Sequence, residues 1–170
     1  MDKPDWLPEK LYYYNYHKDW QKFIQVANEI FVNDFCKEDL YLNEMKVDFD
    51  HSICDGKIEC FRHIVEGSGK RGLVEHQETI LRAERIGWIK PIILNNQSNS
   101  ILKWENKRGR KTKILLWLKD IDELGFIVIL FKKSDSEVFL ETAYPINWGK
   151  YRKQIEKEYC AYKSSKRRPE

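Results

Sequence analysis

Between Ile101 and Pro145 the chain reads ILKWENKRGRKTKILLWLKDIDELGFIVILFKKSDSEVFLETAYP. Four segments in it are rich in β-branched and aromatic residues: Ile101–Trp104, Lys113–Leu118, Phe126–Phe131 and Val138–Tyr144. Arg108-Gly109, Leu124-Gly125 and Ser134-Asp135-Ser136 separate them as turn signals. Connections this short join only antiparallel neighbours, so the stretch predicts a four-stranded antiparallel meander.

Upstream, Phe23, Val26, Ala27, Ile30, Phe31 and Phe35 recur at helical spacing and predict a helix of four to five turns from Asp19. Met45–Asp50 alternates apolar with polar, as a half-buried strand does. Asp55-Gly56 is a hairpin turn signal, with Lys57–Phe61 as the returning strand. Gly67–Gly72 (GSGKRG) breaks the chain with a cationic turn. A helix follows from Leu73 to about Glu84, then a short helix entered through Pro91, and a last helix runs from about Lys150 to Tyr162 after Trp148-Gly149. The expectation is an α+β fold: helices packed on a four-stranded antiparallel sheet, preceded by an N-terminal helix and a β-hairpin. Residues 1–40 read as a helical cap and 41–170 as the main domain.

With 170 residues, 42% of them apolar and 34% charged, the chain can bury a core without disulfides or metal and is not disordered. No apolar run suits a membrane span, the first ten residues lack a signal core, and the four scattered cysteines fit a reducing compartment. A cytoplasmic protein is expected. Charge is uneven. Residues 1–66 carry 8 Lys/Arg against 14 Asp/Glu, residues 67–119 carry 12 against 4, and residues 120–170 carry 10 against 9. A basic middle third suits a polyphosphate partner. Its densest run is Lys103–Lys113, with six cations and one carboxylate; the tail Lys166-Arg167-Arg168 reads as a soluble end.

Several signatures fail on spacing. Gly67-Ser68-Gly69-Lys70 lacks the four residues between glycines, and the Ser/Thr after Lys, of a phosphate-binding loop. His76-Gln77-Glu78 has no P-C-x-x-C to complete a deaminase. His51, Cys54, Cys60 and His63 are zinc-ligand types at an unusual spacing. No G-x-S-x-G is present for a hydrolase, and Asp48 with Asp50 suits a solvated strand face better than a two-metal nuclease.

The residues left are His63, His76, Arg82, Arg85, Lys103, Lys111, Thr142 and Tyr144. Cleaving RNA without metal uses the neighbouring 2′-OH as nucleophile. The protein must supply a base, an acid, and fixed cations and donors for the charge growing on phosphorus. Histidine suits the proton transfers, and arginine's planar fork suits the phosphate. Thr142 and Tyr144, two apart on a strand, point the same way.

Three pieces carry a resemblance: HQETILRAERIGWIKPII from His76, the basic hairpin ILKWENKRGRKTKILLWL, and VFLETAYP with its T-A-Y-P ending. Arg62-His63-Ile64 adds an upstream element. The stretch 76–145 resembles the phage-associated branch of the barnase–EndoU–colicin–RelE (BECR) ribonuclease superfamily. The resemblance implies an active site on an exposed sheet face, with His76 as general acid or base and Arg82, Arg85 and Lys103 holding phosphate. Thr142 and Tyr144 would donate to it, and His63, Arg110 and Lys111 would bind substrate. It further implies a metal-independent endoribonuclease of toxin or effector type, using no cofactor. Such an enzyme would leave a 2′,3′-cyclic phosphate and a 5′-hydroxyl and be neutralised by an acidic antitoxin or immunity protein. The alternatives are a non-catalytic RNA- or protein-binding module of a phage or mobile element, and a structural phage protein.

Overall fold

The computed structural model describes residues 2–67, 72–147 and 149–167. The cationic turn from Ser68 to Arg71, Trp148, and the tail from Arg168 lie outside the described residues. The helix α1 (Trp20–Phe35) starts at Asp19, whose side chain accepts from the Lys22 backbone N–H, and buries Phe23, Ala27, Phe31 and Phe35 on one stripe. Two short hairpins follow. The first joins β1 (Tyr41–Leu42) to β2 (Met45–Asp48). The second joins β3 (Ile53–Cys54) to β4 (Lys57–Ile58) through Asp55 and Gly56, both at positive φ as a tight hairpin turn demands. Next come α2 (Glu59–Glu66), α3 (Gln77–Ala83) and α4 (Ile89–Leu94), then β5 (Ile101–Arg108), β6 (Lys111–Leu118), β7 (Phe126–Lys132), β8 (Glu137–Pro145) and α5 (Gly149–Lys166).

The meander of β5 to β8 is antiparallel as expected, but the four-stranded antiparallel sheet is not what forms. The strands order as β1-β2-β8-β7-β6-β5 in one six-stranded, curled mixed sheet, with β3 and β4 a separate pair. The strand β2 runs parallel to β8, pairing Lys46 with Glu137 and Asp48 with Phe139. Alternation marks Met45–Asp48 as a strand but is silent on its partner. A parallel partner is reached by a long crossover that leaves no local turn signal, here the helices α2 to α4 and the meander itself. The expected strand Lys57–Phe61 ends at Ile58, because Cys60, Phe61, Ile64 and Val65 form a helical stripe that packs α2 against β8.

The sheet is covered on both sides. Ile114, Leu116, Leu118, Phe126, Val128, Leu130, Val138, Leu140 and Ala143 share a core with α1 to α4. Leu115, Trp117, Ile127 and Ile129 turn the other way and, with Trp104, pack under Tyr151, Ile155, Tyr159 and Tyr162 of α5. Double coverage explains why β6 and β7 read as unbroken apolar runs. The sheet face away from α1 to α4, expected to be exposed, is covered in part by α5. The helix α5 is tied down by Glu158, which accepts from Trp104 Nε1 (2.9 Å), Asn106 Nδ2 (2.7 Å) and Arg108 Nη2 (3.3 Å).

The turn into β7 depends on Gly125, at φ +70°, where a Cβ would sit 2.5 Å from the Lys119 carbonyl oxygen and 3.0 Å from that of Leu118. Gly109, in the β5–β6 turn, has φ +62° and open space around it. Gly125→Ala is therefore expected to combine strain with a backbone clash, costing about 2 kcal/mol or more and lowering Tm by roughly 4–8 °C. Gly109→Ala carries the strain alone, about 1 kcal/mol. Thermal unfolding of the two variants checks the order; equal losses would refute the clash.

Candidate functional site

The site is made by an irregularity in β8. Leu130 of β7 pairs with Leu140 and Ile129 pairs with Thr142, so Glu141 is an extra residue, a β-bulge. Before it, Val138 and Leu140 face the helical core; after it, Ala143 does. The shift delivers Thr142 and Tyr144 to the opposite face, beside Ile129 and Ile127 of the α5 core. Without the extra residue, strict alternation would bury both among α1 to α4.

On that face Thr142 is half-buried, and its hydroxyl bonds no other described residue. The Tyr144 hydroxyl is hydrogen-bonded to that of Tyr151 on α5. Two hydroxyls sharing one bond leave one proton to donate elsewhere. Burial, then the Tyr151 bond, push the Tyr144 phenol well above the usual tyrosine range, outweighing the opposing charges of Arg82 and Arg108. It stays protonated at neutral pH and can only act as a neutral donor or acceptor.

Beyond the β2 pairing, which ends at Phe139, the outer edge of β8 is flanked by α2 and α3. Arg82 of α3 comes round this edge. Its guanidinium lies 5.0 Å from the centre of the Tyr144 ring and donates from Nη1 to the Ile64 carbonyl at 3.1 Å. Gly67 makes room for it: a Cβ there would come within 2.9 Å of Arg82 Cζ. Lys113 and the bulge residue Glu141 form an ion pair at 2.7 Å on the same face.

Arg82, Thr142 and Tyr144 are thus brought together, with Lys111 further along the same face at the β5–β6 hairpin, whose turn carries the exposed Arg110. Two other expected phosphate ligands are turned away. Arg85 is 2% exposed; it donates to the Leu81 carbonyl (2.8 Å), pairs with Asp122 and lies over Trp88. Lys103 alternates with Leu102 and Trp104 onto the helical side, where its ammonium donates to Asn96 Oδ1 at 2.7 Å and burial lowers its pKa. His63 is exposed on α2. His76 is exposed as the N-cap of α3: its Nδ1 accepts from the Glu78 N–H at 3.3 Å, and its backbone N–H donates to Thr79. Roughly 9 Å of helical rise separates it from Arg82.

Among the described residues no three His, Cys, Asp or Glu side chains gather as metal ligands. In the series His51, Cys54, Cys60 and His63, the Cys60 thiol is pushed up to about 12, chiefly by burial, and points at the Leu140 carbonyl. Sequence reasoning missed Tyr151, Lys113 and Glu141. The bulge leaves no clear trace in VFLETAYP, where Val138, Phe139 and Leu140 are all apolar.

Comparison with protein families, with curated proteins and with solved structures returns no match to this chain.

The role of Arg85 can be read from stability. Burial pushes the Asp122 carboxyl up, but the Lys10 hydrogen bond and the Arg85 charge and bond together hold it below the usual aspartate range. A depressed carboxylate stabilises the fold above its ordinary pKa, near 3.9, and loses that contribution as pH falls through the folded value. Asp122→Asn should cost about 2 kcal/mol at pH 7, less than the roughly 3–5 kcal/mol of a fully enclosed pair. In urea unfolding the gap from wild type should close between pH 5 and about pH 2; a gap unchanged with pH would show that the charge is not its source.

Proposed function

We propose that this chain is an endoribonuclease working without metal, and that RNA lies on the part of the sheet face which α5 leaves open. The observation that supports the reading is that Thr142 and Tyr144 leave β8 on one face after the bulge, with the Arg82 guanidinium 5.0 Å from the Tyr144 ring. A phosphodiester passing to a five-coordinate phosphorane gains charge on its non-bridging oxygens. Arg82, Thr142 and the Tyr144–Tyr151 pair supply one cation and neutral donors for it. The 2′-oxygen attacks phosphorus, the bond to the 5′-oxygen breaks, one proton leaves the 2′-OH and another reaches the departing oxygen. His76 caps α3 about 9 Å of helical rise from Arg82, and its part in the proton transfers rests on the resemblance and not on the grouping beside the bulge. Arg85 and Lys103 take no part, and Arg110 and Lys111 attract the backbone.

The resemblance of 76–145 to the BECR ribonucleases supports the reading through this same helix and strand, although the sheet has two strands more than expected. No helix among the described residues is long and apolar enough to cross a membrane. We further propose a cytoplasmic location, which the four scattered cysteines of the sequence suit, and an acidic antitoxin or immunity protein that covers the cationic face.

Wild type and the variants Arg82→Ala, Thr142→Ala and His76→Ala, each checked for folding by circular dichroism, should be incubated with end-labelled RNA in EDTA. Wild type should yield 2′,3′-cyclic phosphate ends. Loss of Arg82 or Thr142 should slow cleavage about 10²–10³-fold, the usual effect of removing one transition-state donor. Loss of the imidazole should slow it roughly 10²–10⁴-fold. RNA that is bound in a salt-sensitive way but stays intact would overturn the enzyme and leave the binding module.

A further inference from the structure

Further along the open face from Thr142, at the end of the sheet away from Pro145, two aromatic rings stand outside the reach of α5. Phe131 of β7 and Phe139 of β8 are directly paired across the strands, with centroids 5.0 Å apart and planes 30° from parallel. Each alternates with buried core residues, Leu130 on one strand and Val138 and Leu140 on the other, so both project onto the same face as Thr142. Both are half-buried, whereas other aromatics of that face, Trp104 and Trp117, are fully enclosed beneath α5.

Cations frame the pair. The Lys133 ammonium lies 5.7 Å from the Phe139 ring and is spoken for by Asp48 (2.9 Å) and Glu137 (2.7 Å). The Lys111 ammonium lies 4.3 Å from the Phe131 ring and forms no ion pair among the described residues. A cross-strand phenylalanine pair strengthens a sheet wherever it occurs. That alone does not call for a charge without a counter-ion held over one ring. An aromatic platform with an unneutralised ammonium at its rim matches a nucleobase together with its phosphate: the base stacks on the rings and the ammonium moves to the backbone.

We propose that Phe131, Phe139 and Lys111 form a stacking subsite for an unpaired base, so that the substrate class is single-stranded RNA. Phe139 and Thr142 are three positions apart on β8, with only Leu140 and the bulge residue Glu141 between them. At about 3.3 Å per residue that is a gap of roughly 7–10 Å, which one nucleotide spans. Stacking accepts any base, so the subsite selects strandedness and not sequence. The subsite rests on the reading of this face as an RNA site, but its test reads binding independently of cleavage.

Fluorescence anisotropy with a labelled ten-nucleotide RNA in EDTA, and with the same RNA annealed to its complement, measures it. Thr142→Ala serves as the background if wild type cuts the probe. The single strand should bind at least tenfold tighter than the duplex. Phe131→Leu and Phe139→Leu keep apolar volume and fold, and each should weaken single-strand binding about 5–50-fold while leaving duplex binding unchanged. Lys111→Gln should reduce the salt dependence by about one phosphate contact. Equal affinity for the two forms, or leucine variants that bind like their parent, would overturn the subsite even if RNA is cleaved. Binding that depends on both rings, with no cleavage by wild type, would uphold the subsite and remove the nuclease.

Discussion

One extra residue in β8 decides which side chains this sheet offers to solvent. A strand has a side-chain period of two, so an insertion reverses the facing of everything after it. Glu141 is that insertion, and it is held in place by its ion pair with Lys113 on the neighbouring face of β6. Ala143 takes over the core position that alternation would have given to Thr142, and its small size suits close packing against α2 and α3. Thr142 and Tyr144 are thereby released to the face that α5 covers in part. The bulge shifts the pairing with β7 by one residue without ending it, and past Phe139 the outer edge of β8 is free of β2, so Arg82 can reach round it.

The second constraint is α5. The sheet carries large apolar residues on both faces, and an exposed face holding Trp104, Trp117, Ile127 and Ile129 would be a self-association hazard. The helix covers these four and stops short of Phe131, Phe139 and Thr142. Its grip is polar as well as apolar: Glu158 satisfies the indole of Trp104, which would otherwise be a buried donor without a partner. Tyr151, in the first turn of the helix, marks the border between covered and open sheet, and its hydroxyl is bonded to that of Tyr144. Closing the core and shaping the site are therefore functions of the same helix.

The parts of the fold legible in the sequence were those specified locally. The four strands of the meander each had β-forming composition and a turn signal at either end, and the Asp55-Gly56 hairpin carried its own backbone requirement. The partner of β2 was not legible, because strand pairing over some ninety residues is settled by burial in the folded state and not by any local pattern. The hairpin position of Lys57–Phe61 predicts a strand, but the apolar stripe of Cys60, Phe61, Ile64 and Val65 makes a helix of it from Glu59. Of the site, Thr142 and Tyr144 could be grouped from their spacing alone. Lys103 could not be excluded without knowing that the face of Leu102 and Trp104 is the one that lines up with them across β6 and β7.

The arginines show why density of charge along the chain is a poor guide to a binding surface. Arg82 and Arg85 are three residues apart, and both come from the basic third of the sequence. Enclosing a guanidinium costs several kcal/mol unless protein acceptors replace water. Arg85 has such acceptors in Leu81 and Asp122, together with the face of Trp88, and is thereby committed to holding the β6–β7 loop against the end of α3. Arg82 lies at an edge, half in solvent, with an aromatic face beneath it. The run from Lys103 to Lys113 divides in the same way. Alternation sends Lys103 and Glu105 to the helical side and Arg108, Lys111 and Lys113 to the open side, where Glu158 and Glu141 neutralise the first and last. What remains in this run to attract a polyanion is the hairpin tip, Arg110 and Lys111, beside two half-buried rings. Of the cations in this run on the open side, Lys111 is held over an aromatic ring and forms no ion pair among the described residues.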